Sequence, residues 1–181
     1  MRLRNTTDTY GTIAKFLHWL IALLVVLMLI GGVLFNYMPK GDFRSFLVQM
    51  HKSTGVTILI LMVLRLLWRW INPYPTLPLA MNLPEKMSAR AVHLLFYILL
   101  IAMPLTGMIM TMAAGYPVPF WGITTLHWSF IPAQKSLSHL MFNWHSYLAW
   151  AIGILIALHT IAALKHHFID KDNVLKRMWR Q

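Results

Sequence analysis

Cysteine is absent from this chain of 181 residues, and acidic residues are scarce, with five Asp and Glu in total. The lack of cysteine excludes disulfides, thiolate metal sites, iron–sulfur clusters and covalent cofactor attachment through a Cys-x-x-Cys-His motif. Charged residues make up only 12% of the chain, whereas soluble domains carry about 25%. So few polar groups argue strongly against a water-soluble globular fold.

Long apolar runs take the place of the missing charge, and 58% of the residues are hydrophobic. A helix needs about 20 apolar residues to cross a bilayer. Four stretches reach that length, at about Ile13–Phe35, Met50–Trp70, Ala91–Met112 and Leu137–Leu164. We therefore predict an all-α integral membrane protein, a four-helix transmembrane bundle that forms a single membrane domain over residues 1–181.

The sixteen Lys and Arg residues are distributed unevenly between the two sides of this bundle. Twelve fall in the N-terminus, the second loop and the C-terminus or at adjoining helix ends. The first and third loops with their helix ends hold Lys40, Arg44, Lys52 and Lys135. Cytoplasmic segments carry the excess of Lys and Arg, so we expect both termini to be cytoplasmic. In this context the net charge of +11 predicts contact with membrane lipid headgroups and no nucleic acid.

Nine histidines are unusual in so apolar a chain, and four of them form two pairs at matching depth. His18 and His159 lie near the cytoplasmic ends of the first and fourth spans. His51 and His145 lie near the outer ends of the second and fourth spans. A lone histidine in a membrane often only bonds across helices, but two depth-matched pairs favour ligation.

The spacing of the two histidines in the fourth span excludes one shared metal ion. His145 and His159 are 14 residues apart, which is close to four helical turns and a rise of roughly 21 Å. Metal–imidazole bonds are only about 2 Å long. Two haems stacked across the membrane fit, each held by two imidazoles from facing helices. We predict that His18 and His159 bind an inner haem iron, and His51 and His145 an outer one.

The other histidines have weaker signals. His93, one turn into the third span, suits a role beside the inner site or at the headgroups. His127 and His139 are expected at the outer interface. A histidine-lined metal or proton transporter is a remaining alternative. Intramembrane proton relays commonly use Asp or Glu within the spans, whereas all five acidic residues of this chain lie outside them.

Taken together, the motifs resemble the bacterial di-haem cytochrome b561 family, which is related to the cytochrome b subunits of nickel hydrogenases. The resemblance covers nearly the whole chain. Its motifs are His18-Trp19, His51-Lys52-Ser53-Thr54-Gly55, Leu64-Arg65-Leu66, His93 with Tyr97, Pro104-Leu105-Thr106-Gly107, Trp144-His145, His159, Ala162-Ala163-Leu164-Lys165-His166-His167-Phe168, Asp172-Asn173 and Arg177-Met178. It implies a four-helix bundle with two non-covalent b haems, and its ligands fall on the same four histidines.

The short single-bundle form with a His-His tail is similar to the bacterial superoxide oxidases. That similarity implies an enzyme, a superoxide:quinone oxidoreductase, spanning the bacterial inner membrane several times. It would oxidise superoxide on the outer side and reduce ubiquinone. The alternative is a cytochrome b electron-transfer subunit that anchors a partner dehydrogenase or hydrogenase as its protein redox partner. The short loops favour the stand-alone enzyme.

Two groups of residues are candidates for the substrate sites. Lys52 and Arg44 suit an anion-attracting mouth on the outer side, although ordinary headgroup contacts explain these cations equally well. His166 and His167 follow the fourth span, where imidazole could supply protons to a quinone on the inner side.

Overall fold

The structure is a computed structural model that describes residues 2–78 and 81–179. Four long helices dominate it, and each is long and apolar enough to cross a membrane. A two-stranded antiparallel hairpin and a short C-terminal helix complete the fold. The elements are α1 (Thr12–Leu34), α2 (Asp42–Trp70), α3 (Leu83–Ala113), β1 (Val118–Phe120), β2 (Thr124–Leu126), α4 (Lys135–Phe168) and α5 (Lys176–Trp179). The prediction of an all-α bundle with four spans is confirmed.

The helices extend beyond the apolar stretches that predicted them. α2 begins at Asp42, eight residues before the predicted span, and places His51 more than two turns inside the helix. α4 has 34 residues, which is roughly 51 Å at the usual helical rise. A hydrocarbon core is about 30 Å thick, so the ends of α4 project beyond it. Hydropathy marks the apolar part of a helix, whereas helical hydrogen bonding continues through its polar ends.

The four helices do not pack equally closely. α1 packs on α2, α2 on α3 and α3 on α4. Over the two described ranges, α4 does not pack along α1 or α2. A band of buried apolar side chains fills the middle of the bundle. It includes Ile21, Val25, Met62, Leu100 and Ile152.

The hairpin lies at one end of the bundle, which we call the hairpin end. Ser53 of α2 is 1% exposed and anchors the hairpin, because its hydroxyl donates to the carbonyl of Pro119 at 3.1 Å and accepts from the N–H of Trp121 at 3.0 Å. Trp121 and Gly122 both have positive φ angles, as in a type I′ turn. The indole N–H of Trp121 donates to Thr57 Oγ1 at 2.9 Å, which holds this bulky residue in a conformation it rarely adopts.

The first and last described segments of the chain lie at the opposite end, which we call the terminal end. There the N–H of Thr76 donates to the carbonyl of Thr7 at 2.9 Å. The indole N–H of Trp19 donates to the carbonyl of Met178 at 3.0 Å, and its ring meets that of Trp179 edge to face. The N-terminal segment, the second loop and the C-terminal tail therefore form one cap over this end.

Candidate cofactor sites

At the terminal end, α1 and α4 each direct one imidazole into the space between them. The ring centroids of His18 and His159 are 6.3 Å apart, with an angle of 73° between the ring planes. Both side chains belong to half-buried residues. The ring of Phe96 meets His159 edge to face at 5.4 Å. The two imidazoles thus face each other from helices that do not pack along one another.

At the hairpin end, α2 and α4 repeat the arrangement. The ring centroids of His51 and His145 are 6.4 Å apart, with 66° between the planes. Phe35, just beyond the end of α1, meets the His51 ring at 5.4 Å. Both pairs of histidines that the depth argument singled out are therefore brought together.

The separations are those of two imidazoles on opposite sides of one metal atom. Ring nitrogens about 2 Å from a shared metal place the two centroids roughly 6 Å apart. Edge-to-face stacking alone also occurs at this distance, but it does not explain why α4 stands away from α1 and α2.

A bare metal ion fits these pairs poorly. Structural zinc takes four protein ligands. In the described ranges, the one group of three or more potential ligands whose donor atoms all lie within 4.8 Å of one another is His166 with Asp170 and Asp172, which includes no member of either pair. A porphyrin supplies four nitrogens in a plane and leaves two axial positions for imidazoles. The residues present therefore fit haem at each pair.

The ring of His145 is oriented by α3. Its Nδ1 lies 3.1 Å from the carbonyl oxygen of Met103 and 3.1 Å from Thr106 Oγ1. The Thr106 hydroxyl donates its proton to the same carbonyl at 2.7 Å, so both oxygens accept from the imidazole and Nδ1 carries the proton. This tautomer leaves Nε2 with a free lone pair, as a metal-ligating histidine requires.

Gly107 makes room for that ring. A Cβ at this position would lie 3.0 Å from Cε1 and 3.3 Å from Nδ1 of His145. A side chain at this position would crowd the His145 ring, which accounts for the glycine in Pro104-Leu105-Thr106-Gly107.

Two further side chains lie beside this pair at the terminal end, and His93 is one that the sequence had suggested for a place near the inner site. His93 of α3 lies with its ring centroid 5.8 Å from that of His159, so three imidazoles meet there. Arg65 of α2 points Nη1 at Nδ1 of His18, 3.2 Å away. The sequence showed Arg65 as a charge near the end of a span and as part of Leu64-Arg65-Leu66, but the rotation of α2 that brings it to His18 has no signal in hydropathy.

A cavity of about 1070 Å³ opens beside His18 and His159. Its size is at the upper limit of ordinary cofactor pockets, which measure about 300–1,000 Å³. The rings of Tyr10 and Tyr74, both in its lining, meet edge to face at 6.1 Å. Burial raises the pKa of Tyr10, so this hydroxyl stays protonated at the edge of the cavity.

The structure separates the two histidines of the tail. His166 is buried, with Nδ1 2.7 Å from Asp172 Oδ2 and 3.0 Å from Asp170 Oδ2. His167 instead lines the cavity, and its Nδ1 is buried without a hydrogen-bond partner among the described residues. The His166 ring therefore faces two carboxylates, whereas the His167 ring faces the cavity beside His18 and His159.

The two cations proposed for the hairpin end have different surroundings. Arg44 directs Nε and Nη2 at the carbonyl of Phe35, each at 3.4 Å, so it is tied to the end of α1. Lys52 is half-buried and follows His51 directly. His127 and His139 are exposed, in keeping with interfacial positions.

Comparison with known proteins shows the family to which this chain is similar. The model of the prokaryotic cytochrome b561 family matches residues 9–181. "Cytochrome b561 homolog 2" of Escherichia coli (strain K12) is 36% identical, with 98% of this chain and 95% of the relative covered. "Probable superoxide oxidase CybB" of Yersinia pestis is 31% identical, covering 93% and 94%. "Cytochrome b561 homolog 1" of Escherichia coli (strain K12) is also 31% identical, covering 90% and 92%.

The chain belongs to the prokaryotic cytochrome b561 family. It is a bacterial membrane protein of a transmembrane electron-transfer family, and membership implies that it binds b-type haem. The predicted family is confirmed, and the four-span fold agrees with it.

Gly107→Ala is expected to push the His145 ring out of its position, because the added Cβ would lie 3.0 Å from Cε1. Overpacking of this kind costs about 1–3 kcal/mol. We expect a lower melting temperature in detergent and a weaker low-spin haem signal per chain. Gly32→Ala is the control, since a Cβ there meets no atom within 4 Å. Equal spectra and melting temperatures for the two variants would contradict this account of Gly107.

Proposed function

We propose that this protein carries electrons across the bacterial inner membrane through two b haems, from superoxide at the hairpin end to ubiquinone at the terminal end. The observation that carries the proposal is the repeat along α4. His145 and His159 are four turns apart, and each faces a histidine of another helix at 6.3–6.4 Å.

Four histidines would hold the haems in two pairs, His18 with His159 and His51 with His145. A haem iron bound in this way supplies a centre that alternates between ferrous and ferric states, one electron at a time. The protein holds the two imidazole rings of each pair at a separation that leaves room for one metal atom between them. At His145 it also fixes the proton on Nδ1 through Met103 and Thr106.

The orientation follows from charge. Among the described residues, eleven Lys and Arg lie towards the terminal end and four towards the hairpin end, which favours a cytoplasmic location for the terminal end. The hairpin end would then face outward. Its four cations exceed its one acidic residue, Asp42, by three, and such a surface raises the rate at which an anion arrives.

The substrates are proposed from the chemistry at the two ends and from one relative. The relative from Yersinia pestis is named a probable superoxide oxidase. Two superoxide anions would each lose one electron and leave as dioxygen. One ubiquinone would gain these two electrons and two protons and become ubiquinol. Oxidation of superoxide needs no bond to the superoxide anion, but reduction of ubiquinone needs a proton source at the terminal end.

His166 and His167 are suited to supply those protons. His167 lines the cavity beside His18 and His159, where a quinone could approach the inner haem. His166 hydrogen-bonds with the carboxylates of Asp170 and Asp172, which can accept a proton and pass it on. Imidazole exchanges protons near neutral pH, so it can act in turn as donor and acceptor.

Single alanine variants should separate the two haems. His145→Ala and His51→Ala are expected to remove one low-spin haem signal, and His159→Ala and His18→Ala the other, with one haem per chain left in each case. His93→Ala and the exposed His139→Ala are the controls and should keep both haems. The pairing would be overturned if His145→Ala and His159→Ala lost the same haem. It would also be overturned if His93→Ala lost a haem and His18→Ala kept both.

The purified chain without a partner subunit should be reduced by superoxide and reoxidised by ubiquinone. Lys52→Gln is expected to lower the second-order rate with superoxide a few-fold at low ionic strength, with a smaller difference at about 1 M salt, where the Debye length is about 3 Å. Lys171→Gln removes the same charge at the other end and should leave this rate unchanged. Haems that respond only when a second subunit is present would favour the electron-transfer subunit instead.

Removing the tail imidazoles should affect only the quinone half of the reaction. His166→Gln and His167→Gln are expected to slow ubiquinone reduction, since general acid–base groups contribute about 100-fold or more. Reduction of the haems by superoxide should be unchanged in both variants. His127→Gln, at an exposed site of the hairpin end, is the control. A full quinone rate in the double variant would show that neither ring carries the proton.

A further inference from the structure

Arg65 occupies a position on α2 that corresponds to a haem ligand on α4. His51 and Arg65 are 14 residues apart, as are His145 and His159. Fourteen residues are close to four helical turns, so the two side chains on each helix project from nearly one face. Since His51 faces His145, α2 offers α4 an imidazole at the hairpin end and a guanidinium at the terminal end.

The contact that Arg65 makes is incompatible with ligation through Nε2 of His18. Its Nη1 lies 3.2 Å from Nδ1 of His18, and a guanidinium can only donate. Nδ1 therefore accepts, which puts the ring proton on Nε2. A ligating imidazole needs the reverse, with Nδ1 protonated and Nε2 free. When His18 holds an iron through Nε2, the guanidinium must turn to another acceptor.

The described part of the chain offers Arg65 no carboxylate. The ion pairs found there use only Glu85, Asp170 and Asp172, with Lys165 and His166 as their partners. The described cavity lining contains no acidic residue and four Lys or Arg residues, Arg65, Arg69, Lys176 and Arg177, of which Arg177 donates to the carbonyl of Thr76. A half-buried cation without a counter-charge is unfavourable, so this lining suits a ligand that brings its own carboxylate.

Arg69, the neighbouring guanidinium, is already occupied. It lies over the ring of Tyr74 at 4.5 Å from the centroid and near the ring of Tyr97 at 5.4 Å. Such cation–π contacts hold it at the mouth of the cavity. Arg65, one turn deeper and beside His18, is the guanidinium placed to meet the edge of a bound porphyrin.

We propose that Arg65 binds a carboxylate of the porphyrin held by His18 and His159, and that its charge raises the reduction potential of this haem above that of the other. The inference rests on the proposed ligands. Arginine matches a carboxylate with two parallel hydrogen bonds. Turning to that carboxylate would release Nδ1 of His18. A fixed positive charge favours the reduced haem, so electrons would run downhill from the hairpin end to the terminal end.

Optical redox titration of the purified holoprotein tests the charge. Arg65→Gln is expected to lower the midpoint potential of the haem that is lost in His159→Ala, and to move the other midpoint much less. Arg65→Lys keeps the charge but loses the two parallel N–H donors of the guanidinium, and its midpoint potential should lie close to that of the unsubstituted protein. Arg90→Gln removes an exposed charge from α3 at the same end and should leave both midpoints unchanged. An unchanged midpoint in Arg65→Gln would overturn the proposal.

Redox difference infrared spectra test the carboxylate itself. Haem labelled with ¹³C at its carboxylates distinguishes these groups from Asp, Glu and lipid phosphates. The labelled band should shift in both Arg65→Gln and Arg65→Lys and stay in place in Arg90→Gln. A lowered potential with an unshifted band would overturn the carboxylate assignment and point to a lipid phosphate or to His18. A separate result would show that the proposed haem ligands are wrong: His18→Ala would then keep both haems, whatever the effect of the Arg65 variants.

Discussion

The space between α4 and the α1–α2 pair is the constraint on which the rest of the structure depends. α3 packs closely on both α2 and α4, so it sets how far α4 stands from the other two helices. Across that space the imidazoles meet at 6.3 and 6.4 Å. A closer bundle would bury more apolar surface but would leave no width for a metal between the rings. The bundle therefore lacks close packing between α4 and the other two helices at the two histidine pairs.

The two sites are similar in their imidazoles and different in what surrounds them. At the hairpin end, the carbonyl of Met103 accepts from His145, which increases the electron-donating character of a ligating ring. At the terminal end, His18 faces Arg65, a permanent cation. Greater donation stabilises an oxidised iron, and a nearby cation stabilises a reduced one. Both differences favour movement of electrons in the same direction, towards the end where a quinone would take them up.

Much of this arrangement could be predicted from the sequence, because its signals are long and periodic. Apolar length predicted the four helices, and depth within them predicted the histidine pairs, which the structure brings together. The early start of α2 at Asp42 was missed because polar residues in its first turns conceal a helix from hydropathy. The hairpin was missed because its strands have only three residues each. The approach of Arg65 to His18 depends on helix rotation, for which a single charged position has no signal.

The apolar band between the two histidine pairs separates the path of electrons from the path of protons. Its buried members, such as Ile21, Met62 and Ile152, have neither charge nor hydrogen-bonding side chains, and such a layer does not carry protons. Electrons can cross it without a chain of polar groups. A quinone reduced at the terminal end, as proposed, would therefore take its protons from that end, where His166 lies beside Asp170 and Asp172 and His167 lines the cavity. If the terminal end is cytoplasmic, reduction of quinone would take up protons from the cytoplasm while the outer reaction releases none.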